Sequence, residues 1–264
     1  MKFIDTHSHL YSNKFDEDRQ LVVKNALKLG VETILLPNIS SKYTNKMLNL
    51  CHLFPKNCFP MMGLHPCYVT KENYETEILH VDSELEKGTY IALGEIGIDL
   101  HWDKSNLEIQ KVAFEHQIKL AKKYNLPIAI HIRESFNEAF EIIVKHNDDN
   151  LNGVFHCFTG DLTQANEIIN LGGFYLGIGG VLTFKNSGLA ATIQNLPLKH
   201  LILETDSPYL SPTPYRGKRN ESKYILNIAE KLAEIKNVSL EEIANITTKN
   251  SKKLFKLQTL YQKT

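Results

Sequence analysis

Six side chains able to bind metal close, or stand just beyond, five short apolar runs of this sequence. His7 and His9 follow Phe3-Ile4-Asp5, and Glu95 follows Tyr90-Ile91-Ala92-Leu93-Gly94. His131 follows Pro127-Ile128-Ala129-Ile130, His156 follows Gly153-Val154-Phe155, and Asp206 follows Leu201-Ile202-Leu203-Glu204-Thr205. Four imidazoles and two carboxylates are donors enough for two divalent cations, and the chemistry they suit is metal-assisted hydrolysis. Mixed nitrogen and oxygen donors accept Zn, Mn, Co or Mg.

Spacing gives each donor an expected role. On a strand, residues two apart point the same way, so His7 and His9 can serve one cation together. Glu95 stands between Gly94 and Gly97, where the backbone can approach a ligand closely, and its two oxygens can bridge two cations. His131 and His156 would complete the second position. Asp206 can bind the cation held by His7 and His9 or take a proton from the attacking water. Asp206 and Glu95 are therefore the expected catalytic carboxylates.

Other residues carry two readings each. His65 and Arg133 are placed to meet an anionic substrate, arginine through paired hydrogen bonds to phosphate. The alternatives are a loop-capping histidine and a surface ion pair with Glu134. Arg216, Lys218 and Arg219 either contact a nucleic-acid backbone or form a solvated loop. Trp102, after His101, either stacks on a base or packs its loop onto the rim.

The donors need elements that bring them to one place. Eight strand-like runs are expected at 2–6, 32–36, 58–63, 89–95, 127–131, 152–156, 173–177 and 200–205. Amphipathic helices are expected at 17–30, 41–53, 73–87, 106–124, 134–146, 161–171, 188–195 and 220–236. Gly172-Gly173 and Gly177-Ile178-Gly179-Gly180, which bracket the seventh strand, look like turns, and 207–219 reads as a long ordered loop. The tail, 239–258, reads as two short amphipathic helices covering the outside. Eight alternating units predict an α/β fold, a closed (β/α)8 TIM barrel, as one domain over 1–264. Its catalytic face lies at the C-terminal ends of the strands. An open dinucleotide-binding sheet would want a glycine-rich fingerprint after strand 1, where His7-Ser8-His9 stands.

Composition fits this architecture. Of 264 residues, 42 % are hydrophobic, enough for one sizeable core. Thirty basic residues balance thirty acidic ones, which argues against a broad nucleic-acid-coating face. Cys51, Cys58, Cys67 and Cys157 show no C-x2-C pair and read as reduced thiols. No apolar run reaches about 18 residues, and Asp5 arrives too early for the apolar region of a signal peptide. A cytoplasmic protein is expected, with no membrane association and no obligate protein partner.

Together the motifs resemble the TatD-related deoxyribonucleases. The matching strings are Phe3-Ile4-Asp5-Thr6-His7-Ser8-His9-Leu10, Gly63-Leu64-His65-Pro66 and Gly94-Glu95-Ile96-Gly97-Ile98-Asp99. His131-Ile132-Arg133, His156-Cys157-Phe158-Thr159-Gly160 and Leu203-Glu204-Thr205-Asp206-Ser207-Pro208-Tyr209-Leu210 continue the match. The resemblance implies a metal-dependent hydrolase with two divalent ions. His7, His9 and Asp206 would hold one ion, His131 and His156 the other, and Glu95 would bridge them. The implied activity is phosphodiester hydrolysis of DNA, as an exonuclease. An amide or ester hydrolase of the same superfamily, acting for instance on aminoacyl-tRNA, is the alternative. Leu100-His101-Trp102 departs from the aromatic pair that often follows this aspartate in the family.

Overall fold

In the computed structural model, which describes residues 1–257, eight parallel strands alternate with helices. The strands are β1 (Phe3–Asp5), β2 (Val31–Pro37), β3 (Cys58–Met61), β4 (Leu93–Asp99), β5 (Ile128–Arg133), β6 (Gly153–Phe155), β7 (Phe174–Ile178) and β8 (Leu201–Leu203). Between them run α1 (Arg19–Lys28), α2 (Ser41–Leu53), α3 (Tyr74–Leu85), α4 (Leu107–Tyr124), α5 (Phe136–His146), α6 (Leu162–Asn170) and α7 (Leu189–Gln194). Two more helices, α8 (Ile225–Lys236) and α9 (Leu240–Leu254), follow β8. The ladders β1-β2-β3 and β4-β5-β6-β7-β8 close on each other at both junctions. Met62 bridges to Leu93 beside β3 and β4, and Ser8 bridges to Ser207 beyond β1 and β8. The expected (β/α)8 barrel forms.

Alternation along the strands separates the inside of the barrel from the outside. Ile4, Leu35, Met61, Ala92, Ala129, Val154, Tyr175 and Ile202 share one buried cluster. Their strand neighbours, among them Phe3, Ile34, Ile128, Ile130, Phe155, Leu176 and Leu203, belong to a second cluster with Val23, Phe114, Ile143 and Ile228 of the helices. The first cluster takes one residue from each strand or its approach, so it is the inner layer. The second lies between sheet and helices. Each aliphatic side chain buried this way contributes roughly 1.5–3 kcal/mol from removal of apolar surface from water.

The inner layer also contains Leu254, Phe255 and Leu257, which close the end of the barrel away from the site. The tail therefore plugs the barrel as well as flanking it. In place of two short helices there is one over Leu240–Leu254, and residue 258 lies outside the described residues. Ser239 caps it by accepting the Glu242 N–H at 3.1 Å. Thr247 and Ser251, which weaken the apolar pattern, bond back to the carbonyls of Ile243 and Thr247 at 2.8 and 2.9 Å. The helix therefore continues through them.

Strand 4 departs most from expectation. Glu95 is its third residue, not its last. Ile91 and Ala92 bond only toward β3, through Pro60 and Met62, and pairing with β5 begins at Leu93 opposite Ile128. Ile96 then pairs with Ile130, so Gly94 and Glu95 together oppose Ala129 alone. This bulge re-aims Glu95 into the barrel. Gly97 lets the strand continue: its φ is +148°, and a Cβ there would lie 2.0 Å from the His131 carbonyl oxygen. At the other junction β8 stops at Leu203, and Asp206 stands three residues beyond it in the left-handed region, φ +57°. All four cysteines are free, and no helix among the described residues is long and apolar enough to cross a membrane.

Candidate metal centre

Continuing the inward parity of the inner layer by two residues reaches the site. Ala129 leads to His131, Val154 to His156 and Ile202 to Glu204, all directed into the mouth at the C-terminal ends of the strands. His7 and His9 join them from the extended segment after β1, fixed by Ser8 N–H to Leu35 O (3.1 Å) and His9 N–H to Ser207 O (2.7 Å). The six expected ligands come together. His65 joins them, and the Arg133 side chain stays exposed on the rim.

Glu95 lies at the centre, with its two oxygens facing different neighbours. Oε2 is 3.3 Å from both His7 Nε2 and His9 Nε2, which are 3.2 Å apart. Oε1 is 2.7 Å from His131 Nδ1, 3.4 Å from His65 Nε2 and 3.7 Å from His156 Nε2. Asp206 Oδ1 stands 3.6 Å from His9 Nε2 and 3.8 Å from His156 Nε2. Three donor groups result: His7, His9 and Glu95; His7, His156 and Asp206; His65, Glu95 and His131. His131 thus groups with His65, and His156 with Asp206, a different partition from the one the sequence suggests.

These donors fit a divalent cation. Ligand atoms about 2.0–2.1 Å from a tetrahedral ion lie roughly 3.3–3.4 Å from one another. The edges of the His7–His9–Glu95 triangle, at 3.2–3.3 Å, have that size. Around it, His7 Nδ1 and Glu204 Oε2 are buried and have no hydrogen-bond partner among the described residues. Glu95, Glu204 and Asp206 also bring three carboxylates into one enclosed space, an arrangement a cation would offset.

The protonation pattern follows from the same crowding. Burial opposes charge on Glu95, but His65, His7 and the bond from His131 hold its carboxyl well below the usual range. Burial, and then His156 stacked at 3.4 Å, holds His7 well below the usual imidazole range. Burial also opposes charge on His131, yet its bonds to Asp99 and Glu95 raise it to about 9. Burial pushes Asp206 up to about 6, with His156 and His9 pulling the other way.

Three supporting residues escape a reading of the sequence for ligands alone. Asp99 Oδ2 lies 2.8 Å from His131 Nε2, while its Oδ1 accepts the N–H groups of His101 and Trp102 at 3.0 and 3.3 Å. Glu204 Oε1 is 2.8 Å from His156 Nδ1, an ion-pair distance without hydrogen-bond alignment. The Tyr11 hydroxyl is 2.9 Å from His9 Nδ1 and donates to the Pro37 carbonyl at 2.5 Å. Inward parity from Ile202 was the available signal for Glu204. Nothing local marks Tyr11.

Of the residues with two readings, His65 caps its loop, its Nδ1 accepting the Cys67 N–H at 3.1 Å, while its Nε2 faces Glu95. Glu134 pairs with His101 at 2.6 Å, not with Arg133, whose guanidinium sits 5.3 Å from the Trp102 ring centroid. Arg219 forms a two-pronged bond to Asp18 at 2.8 and 2.6 Å, and Arg216 lies over Phe184 at 3.5 Å. Both are committed to neighbouring loops, Arg219 to the one after β1 and Arg216 to the one after β7. A cavity of about 330 Å³ adjoins His156, lined in part by Phe136, Phe155, Phe158 and Gln164.

The family model for TatD related DNase matches residues 4–256. The uncharacterized metal-dependent hydrolase YabD of Bacillus subtilis (strain 168) is 36 % identical over 254 residues, covering 96 % of this chain and 98 % of that protein. The crystal structure of YJJV, a TatD homolog from Escherichia coli K12, superposes with a TM-score of 0.89 at 29 % identity, covering 96 % of this chain and 98 % of that one. A phosphotriesterase homology protein from Escherichia coli, complexed with phosphate in its active site, shares the fold at a TM-score of 0.70 and 15 % identity, over 96 % and 98 % of the two chains.

Proposed function

The chain belongs to the TatD-related DNase family of metal-dependent hydrolases, and on that premise we propose that it is a two-metal phosphodiesterase cutting DNA as an exonuclease. The observation that carries this reading is Glu95, whose Oε2 faces His7 and His9 while its Oε1 faces His65 and His131. A carboxylate divided between two imidazole groups is what a bridging ligand requires, and a single-ion site has no need of it. When bound, a pair of divalent cations supplies Lewis acidity at a phosphoryl oxygen and acidifies water at neutral pH.

The chain's own groups do the rest. His7, His9, His156 and Asp206 would hold one side of the centre and His131 the other, while His65, whose Nδ1 accepts the Cys67 N–H at 3.1 Å, turns its Nε2 toward Glu95. Asp206 accepts the proton of the attacking water at Oδ1, which faces the site beside His9 and His156. Arg133, exposed on the rim, orients the substrate phosphate by charge-assisted hydrogen bonds.

The test is a screen of the purified protein against single-stranded DNA, RNA, nucleotide esters and aminoacyl-tRNA with each metal in turn. DNA cleavage with two ions bound per chain is expected. Cleavage of aminoacyl-tRNA without cleavage of DNA overturns the reading. Glu95→Ala should lose both ions and all hydrolysis, and full activity with two ions in that variant would remove the bridge.

A further inference from the structure

Two exposed aromatic rings stand on the catalytic face, each with a cation over it. Trp102, 72 % exposed, follows β4 and carries the guanidinium of Arg133 from the end of β5 at 5.3 Å. Tyr209, 49 % exposed, follows β8 and carries the ammonium of Lys14, from the loop after β1, at 4.8 Å. In a closed barrel of eight strands the β4–β5 and β8–β1 junctions face each other across the mouth. The rings therefore flank the metal centre from opposite sides.

Each is also tied to it. One carboxylate, Asp99, binds His131 through one oxygen and the Trp102 N–H through the other. On the far side the Tyr209 N–H donates to the Asp206 carbonyl at 2.8 Å, and the Tyr209 ring lies 6.2 Å from the His9 ring. Neither Lys14 nor Arg133 is paired with a carboxylate among the described residues. Their charge is left for a ligand.

A large exposed ring is costly to leave in water, and a cation stacked on it keeps it in place. An aromatic face beside an unpaired positive charge matches a nucleotide, whose base stacks while its phosphate meets the cation. We propose that Trp102–Arg133 and Tyr209–Lys14 are two nucleobase platforms that seat the bases on either side of the phosphodiester to be cut. This rests on the phosphodiesterase reading of the metal centre. With arginines of the β8 loop committed elsewhere, affinity comes from these two platforms and the centre between them, not from a basic track.

Trp102 is the only tryptophan among 264 residues, so intrinsic emission reports this one ring. The metal-loaded protein is titrated with a hydrolysis-resistant phosphorothioate oligothymidylate and with the same strand lacking bases. Emission should be quenched by the first and not by the second. In parallel, Trp102→Ala and Tyr209→Ala are assayed on oligothymidylates carrying an abasic residue on one side or the other of the cleaved bond. Each variant should raise KM about 10-fold on the intact strand with kcat nearly unchanged, the magnitude of one lost stack. Each should lose that effect on the substrate whose base is missing from its own side, and the two sides should differ. Trp102→Phe should recover most of the loss.

Absence of quenching, or variants that treat intact and abasic strands alike, overturns the platforms even when DNA is cleaved. Quenching without cleavage of any oligonucleotide supports the platforms and overturns the hydrolytic reading.

Discussion

Tyr11 has one hydroxyl proton, and it points at the Pro37 carbonyl. Its oxygen can then meet His9 Nδ1 only as an acceptor, so Nδ1 carries the imidazole proton. The bare lone pair of His9 is left on Nε2, the atom that faces Glu95 and Asp206. A buried phenol two residues from the ligand thus selects the tautomer able to bind metal. Tyr11→Phe keeps the ring but frees that choice. Metal affinity, measured by competition with a fluorescent chelator, should fall about 10-fold with the circular dichroism unchanged. An unaltered affinity would show that His9 needs no orienting partner. Asp99 does the same for His131 from the other end of the mouth.

Gly177 shows how an element makes room for a ligand set. The sequence suggests a turn there, but the residue lies inside β7, facing Glu204 on the neighbouring strand path. A Cβ at Gly177 would stand 2.3 Å from Glu204 Oε2. Gly177→Ala should therefore push Glu204 away from His156 and lower metal occupancy more than it lowers Tm, both measured on one preparation. A large drop in Tm with full occupancy would make the glycine a matter of strand packing alone. Elements of this kind were largely legible beforehand. Helix α2 runs over the 41–53 that the pattern predicts, and each other expected helix up to 236 has an observed one inside it. What escaped was set by pairing. The run 89–95 reads as strand 4, whereas the strand begins at Leu93 and continues through the bulge at Gly94 and Glu95 to Asp99. Apolar pattern marks burial but not which neighbour supplies the hydrogen bonds. For the same reason the six ligands could be named from their positions at run ends, while the grouping of His131 with His65 depends on distances across the mouth.

At the scale of the whole molecule, charge ties the plug to the barrel wall. Glu32 at the start of β2 meets Lys2 at 2.9 Å and Lys252 of α9 at 2.8 Å. Burial opposes its charge, but the two lysines hold its carboxyl below the usual range. A carboxyl whose pKa is depressed in the folded state stabilises above its unfolded pKa, and the contribution is lost as pH falls through the folded value. The Tm of Glu32→Gln should therefore lie below that of the parent at pH 7, and the gap should close on acidification below about 4. A gap independent of pH would assign the loss to packing. The same plug has a consequence for traffic. With Leu254, Phe255 and Leu257 filling the far end, the barrel is a vessel with one opening, and ions must come and go by the doorway that substrate uses. A seated strand would then act as a stopper. Inactivation by a chelator should slow as the concentration of a hydrolysis-resistant oligonucleotide rises, and an unchanged rate would mean that ions have a second way out. In a cell poor in free metal, steady work would itself keep the metal in.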